Sequence, residues 1–272
     1  MSTDDRKRGV IRLRGPRPPA GTEPRDPARA EPPPPPARTE PPPPPARTGP
    51  PRLPATVRTP VPGGAEPSPQ HPPLLTGRAP RARFGGRGTL QANLNWLPDA
   101  GADLNLCCLV AFRDGTARVV QALADDYGSL TEWPYISLDH DDRTGDSSDG
   151  ETLRVDLARG ALFERLLFFV YIYEGAADFR RLGASVTVTA PGDPGCRILL
   201  DDSPQSAVAC AIALVTPDTE GVTVCREVRW FTGRPDVIIH EQVDRAYGFG
   251  MDWFPASKPP LPPRDARRRR HP

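Results

Sequence analysis

Hydrophobic and polar positions alternate along most of the chain after residue 84. Leu104, Leu106, Cys108 and Val110 recur at every second position, and Val186 and Val188 oppose Thr187 and Thr189. A period of two sends successive side chains to opposite faces, which marks a strand with one face on a core. On this basis strands are predicted over Leu90–Trp96, Leu104–Phe112, Ala117–Leu123, Tyr135–Asp139 and Thr152–Leu157. Leu166–Tyr173, Ser185–Ala190, Arg197–Asp201, Val208–Val215 and Val222–Phe231 follow. Leu166–Tyr173 is apolar on both faces and belongs mid-sheet. Turn signals punctuate these runs at Asp114-Gly115, Asp126–Ser129, Gly192-Asp193, Thr219–Gly221 and Gly233–Pro235. No long helical period is present: Leu157–Arg165 carries one or two turns, and Val237-Ile238-Ile239-His240 reads as a strand end or loop. About ten short strands with such punctuation predict an all-β fold, an antiparallel β-sandwich.

Composition sets the limits of that fold. Of 38 prolines in 272 residues, 25 precede residue 81, and no aromatic residue occurs before Phe84. A segment so composed buries too little apolar area to offset its ordering entropy. Residues 1–83 are therefore predicted as a disordered Pro/Arg-rich arm, 84–258 as one sandwich domain, and 259–272 as a disordered basic tail. Within the arm, Glu31–Thr39 and Glu40–Thr48 both read EPPPPPART. Such proline runs form extended rods of ~3.1 Å per residue, serving as a stiff spacer or as a ligand for an SH3-like domain.

The net charge of +1 conceals segregation: +8 over residues 1–83, −12 over 84–253 and +5 over 254–272. The basic flanks suit an acidic partner, nucleic acid or this chain's own acidic domain. Only Lys7 and Lys258 are lysines among 35 basic residues, which reads as a coding bias. Five irregularly spaced cysteines (107, 108, 196, 210 and 225) form no CxxC and read as small buried hydrophobes in a reducing compartment. Neither a signal-peptide pattern nor a transmembrane segment of ~20 apolar residues is found, so a cytoplasmic location is expected.

Chemistry concentrates between Asp139 and Glu151, where six carboxylates, His140 and Arg143 occupy thirteen positions. Held close and unpaired, these carboxylates repel one another; a hard cation such as Ca²⁺, which takes six to eight oxygens, resolves the conflict. Gly145 and Gly150 let the backbone curl, and Thr144, Ser147 and Ser148 add neutral oxygens. The spacing is not that of an EF-hand, since Gly150 stands where the bidentate Glu belongs. Upstream, Asp103 and Asn105 share one strand face opposite Leu104 and Leu106.

These two segments resemble the TerD/TerA tellurium-resistance and stress-protein superfamily, in particular its TerA-like branch. Asp103-Leu104-Asn105-Leu106 is similar to its DLDL-type motif, and Asp139–Glu151 to its second acidic loop. Asn93–Trp96, Tyr171–Ala176 and Tyr247–Trp253 extend the resemblance over residues 87–258. It implies a β-sandwich that binds Ca²⁺ through the two loops, a role in tellurite resistance and stress response, other Ter-family proteins as partners, and no catalytic activity. Asp103, Asn105, Asp139, Asp141, Asp142, Asp146, Asp149 and Glu151 are accordingly the candidate Ca²⁺ ligands. Strand alternation separates Asp139 and Asp141 from Asp142, which predicts two ions, or one ion with Asp142 paired to Arg143. Asn105 in place of an aspartate and two basic residues in the loop lower the expected affinity. The alternative is a metal-dependent hydrolase with His140 or His240 as base, although no GxSxG, HExxH or Walker pattern occurs.

Overall fold

The computed structural model describes residues 72–98, 101–124, 126–145, 150–175, 178–255 and 257–258. The proline repeats, Asp146, Asp149 and the arginine run of the tail lie outside the described residues.

Within them the chain forms twelve strands. The first six are β1 (Arg81–Gly85), β2 (Thr89–Asn95), β3 (Ala102–Phe112), β4 (Ala117–Val120), β5 (Gly128–Ser129) and β6 (Ile136–Leu138). The rest are β7 (Glu151–Asp156), β8 (Phe163–Gly175), β9 (Ser185–Thr189), β10 (Cys196–Leu199), β11 (Ala207–Pro217) and β12 (Gly221–Thr232). They build two antiparallel six-stranded sheets, ordered β1-β12-β11-β8-β3-β4 and β10-β9-β2-β7-β6-β5. The expected β-sandwich is the observed fold, with each of the ten expected strands matched to within a few residues.

Alternation decides what each face buries. On β3, Leu104, Leu106, Cys108 and Val110 pack into the core between the sheets. Cys107, Leu109 and Ala111 point the other way, into a second apolar layer on the outer face. The neighbouring β8 does the same, with Leu166, Phe168 and Val170 inward and Leu167, Phe169 and Tyr171 outward. A strand lined by β3 and β11 and covered on both faces has no polar face, which is why its sequence does not alternate.

A one-turn helix, α1 (Phe179–Leu182), precedes β9, and the outer layer is covered by a helix at a segment expected to be strand end or loop, α2 (Ile239–Tyr247). Ile239, Val243, Ala246 and Tyr247 meet the outer layer at helical spacing, and Arg245 pairs with Glu241 at 2.5 Å one turn away. Gly248 ends the helix in the left-handed conformation that favours glycine. Ordered structure also begins earlier than Phe84. Leu75 is buried and donates its N–H to Arg197, and β1 pairs with β12 through Arg81 to Gly85. Three arginines or glycines in five residues gave β1 no hydrophobic signal; an edge strand needs only its backbone and one inward residue, Phe84.

Candidate metal centre

At one end of the sandwich the start of β3, the end of β8, the end of β6 and the start of β7 come together. The β3–β8 ladder slips by one residue between Asp103 and Leu104, pairing Asp103 with Glu174 and Leu104 with Ile172. Such a bulge re-aims side chains beside a functional site. Past it, Asp103 and Asn105 remain on one face, joined by a 3.0 Å hydrogen bond from Asn105 Nδ2 to Asp103 Oδ1. Both are buried; Asn105 Oδ1 has no hydrogen-bond partner.

The acidic loop reaches this face from the other sheet. Gly150 turns the chain back into β7 with a φ of +56°, and a Cβ there would lie 2.0 Å from the Leu94 carbonyl oxygen, so only glycine fits. The turn places Glu151 at 0% exposure, where its carboxylate accepts the Leu106 N–H at 2.6 Å and the Asp142 N–H at 3.2 Å. Burial pushes the Glu151 carboxyl well above its usual range, against the Leu106 hydrogen bond that favours the charged form. Asp142 accepts the backbone N–H groups of Thr144 and Gly145, each at 3.1 Å, and so folds the loop tip.

The cation at the centre is one that sequence reading missed. Lys258, with its side chain 1% exposed, donates to both oxygens of Asp103 at 2.8 and 2.9 Å and also to Asp141 Oδ1. Its ammonium lies 4.8 Å from the Tyr173 ring centroid, and its backbone N–H donates to the Tyr173 hydroxyl at 2.9 Å. Burial nevertheless dominates at Asp103, whose carboxyl is pushed up to about 6 while the ammonium pulls it down. Asp141 takes a second cation, Arg143 Nε, at 2.7 Å. The available signal was lysine scarcity: where basic positions are almost all arginine, a lysine is a choice of a compact point charge over a planar fork.

The expected ligands thus divide. Asp103, Asn105, Asp141, Asp142 and Glu151 gather at this end of the sandwich. Asp139 turns aside: it accepts the N–H groups of His140 and Thr152 at 2.8 and 2.9 Å and pairs with Arg154 at 3.5 Å. Asp146 and Asp149 lie outside the described residues. Among those described, no three Asp, Glu, His or Cys side chains already stand as a metal cage; Lys258 stands between Asp103 and Asp141. The donor set is nonetheless hard oxygen throughout. Its orphaned amide oxygen and fully buried carboxylate are the features a Ca²⁺ ion satisfies.

The histidines and cysteines do not join it. His140 Nδ1 lies 3.1 Å from Asp139. His240, in the first turn of α2, is buried among the rings of Tyr171, Phe169 and Trp253, and burial holds its imidazole down at about 3. All five cysteines are free, and burial pushes Cys107, Cys108, Cys196 and Cys210 up, away from the thiolate form.

A second carboxylate cluster, also missed, fixes the segment that leads to Lys258. Asp244, buried on α2, accepts the N–H groups of Phe249, Gly250 and Met251 at 2.8–2.9 Å and the Trp253 indole N–H at 2.7 Å. This clamp accounts for the glycine–aromatic run Tyr247–Trp253.

No family model matches the chain. The tellurium resistance protein TerA of an Alcaligenes species is 30% identical over 194 residues, which cover 66% of this chain. The chain spans 55% of that relative's length. Among solved structures, a homologue of the telluride resistance protein TerD from Streptomyces coelicolor is 19% identical, with a TM-score of 0.41, covering 54% of this chain and 92% of its own. A crystal structure of a protein of unknown function is 17% identical, with a TM-score of 0.44, covering 55% and 93%. Among the described residues no helix is long and apolar enough to cross a membrane.

Proposed function

We propose that this chain, which is similar to a tellurium resistance protein TerA, is a non-catalytic Ca²⁺-binding module of a cytoplasmic bacterial stress response. The observation that carries this reading is the gathering at one end of the sandwich of Asp103 and Asn105 from β3, Asp141 from the acidic loop and Glu151 from β7, with the buried Asn105 Oδ1 lacking a hydrogen-bond partner. In it Asp103, Asp141 and Glu151 supply charge and Asn105 Oδ1 a neutral oxygen. Asp142 adds a loop oxygen, and Asp146 and Asp149 remain candidate ligands from the sequence. When bound, the ion supplies charge neutralisation and ties the two sheets together at one end; this chain's residues do no chemistry on it.

The sandwich then acts as a binding or scaffold unit for other stress proteins, with the Pro/Arg-rich arm extending its reach toward an acidic partner. The hydrolase alternative gains no support from the geometry, because His240 is enclosed by aromatic rings and His140 is turned to Asp139.

Calorimetric titration of the metal-free full chain with Ca²⁺, alongside thermal unfolding, tests the reading. Heat and a rise in melting temperature, both lost in an Asp103→Ala, Asp141→Ala double variant, are expected. Absence of heat at millimolar Ca²⁺ for the unmodified chain and for a Lys258→Met variant would refute it.

A further inference from the structure

The carboxylates that face a divalent cation in this reading already hold a monovalent one. The Lys258 ammonium is bidentate on Asp103 and also bonds Asp141, with its side chain almost wholly enclosed. Ca²⁺ approaches carboxylate oxygens to 2.3–2.6 Å, nearer than the 2.8 and 2.9 Å of the amine. Two cations cannot share the same oxygens at that range in a buried site, where their repulsion is poorly screened. The amine is also not a free surface charge captured by chance. Its backbone N–H is fixed to Tyr173 Oη, and the preceding segment is fixed by the Asp244 clamp, so the chain delivers it to this spot. Asn105 Oδ1, joined through its own amide group to Asp103 and otherwise unpartnered, cannot be satisfied by further protein acceptors; it needs a donor or a metal ion.

We propose that Lys258 is a tethered counter-ion of the metal centre: its ammonium occupies the Asp103–Asp141 carboxylates in the metal-free protein and competes with Ca²⁺ for them. This rests on the Ca²⁺ reading above and adds to it a gate of defined chemistry. Only the fraction of molecules with Lys258 withdrawn is competent to bind the ion, so the amine lowers the apparent affinity by that fraction. A Ca²⁺-loaded protein presents Lys258 to solvent, whereas the metal-free one hides it.

The experiment uses the full chain with two readouts. Amine acetylation by a water-soluble N-hydroxysuccinimide ester is followed by mass spectrometry with and without Ca²⁺; Lys7 is the other lysine, so each modified peptide is unambiguous. Calorimetry compares the unmodified chain with Lys258→Met, which keeps an unbranched apolar stem. Lys258 is expected to react at least tenfold more slowly than a free lysine peptide without Ca²⁺ and to approach it with Ca²⁺. Lys258→Met is expected to bind Ca²⁺ about tenfold more tightly. Heat in the variant alone also supports the proposal, as a counter-ion too strong to displace. Ca²⁺ heat with unchanged labelling and unchanged affinity in the variant overturns it while leaving the Ca²⁺ reading intact. Lack of heat in both proteins overturns the two together.

Discussion

Two buried aspartates hold the C-terminal segment, and they do so by opposite means. Asp244 is surrounded by four N–H donors, three from the backbone and one from the Trp253 indole. These donors are neutral, fixed by the turn and enough to occupy both carboxylate oxygens. Asp103 instead has one amide hydrogen bond, from Asn105, and one side-chain cation, Lys258, shared with Asp141. Nearby Glu151 is buried with backbone donors and, among the described residues, no ion pair. The first arrangement is finished by the fold itself. The second gathers more carboxylates than one lysine and one arginine pair, which on the proposed reading leaves it open to exchange with a metal ion. On the proposed Ca²⁺ reading, a structural carboxylate and a binding carboxylate differ in what satisfies them, not in how deeply they lie.

The largest effect should come from the finished cluster. Asp244→Ala strands four N–H groups and is expected to cost about 3–5 kcal/mol in chemical denaturation of the metal-free chain. A stability within error of the unmodified chain would contradict the clamp. Gly150→Ala acts on the other cluster: positive φ and the Leu94 carbonyl force the turn to move. A loss of about 2–3 kcal/mol should accompany a fall in Ca²⁺ heat, since Glu151 follows directly.

Acidification separates the clusters further. His240 is held at about 3 by burial, below its usual 6.5. The unfolded chain therefore takes up a proton that the folded one refuses. Stability present above pH 6.5 is lost as pH falls toward 3, by about 1.4 kcal/mol per pH unit at most. Asp103, raised to about 6, works in reverse: its contribution is present below about 3.9 and lost as pH rises through 6. The difference between the unmodified chain and His240→Phe isolates the histidine; equal slopes between pH 4 and 6 would contradict it. Smallest of all is Arg83→Ala, which breaks the exposed pair with Asp218 and should leave melting temperature and Ca²⁺ binding unchanged within error.

The sandwich was readable because alternation of residues such as Leu104–Val110 reports a two-faced environment directly. α2 was not, since its apolar residues begin inside Val237–Ile239, a short β-branched run that no local signal assigns to helix rather than strand. β1 was hidden by its arginines. Of the expected ligands, Asp103, Asn105 and Glu151 lie together at one end of the sandwich, a placement that follows from their positions at the starts of β3 and β7. The role of Lys258 was not legible, as it arises only when the C-terminal segment folds back over β8, a contact that a sequence separation of 155 residues from Asp103 conceals. That of Asp244 depends on the turn after α2, a segment with no expected helix to place it. Asp139 was assigned to the ion by proximity in sequence, but Arg154 and the Thr152 N–H, both on adjoining β7, claim it.

The most direct test follows backbone amide resonances of the isotope-labelled full chain through a Ca²⁺ titration. Leu106 and Asp142, whose N–H groups hold Glu151, should shift most, together with residues 103–105 and 258. Phe249, Gly250 and Met251, bound to Asp244, should barely move. Shifts centred on the Asp244 segment, or none at millimolar Ca²⁺ in either the unmodified chain or Lys258→Met, would contradict the assignment of the metal centre to Asp103, Asp141 and Glu151.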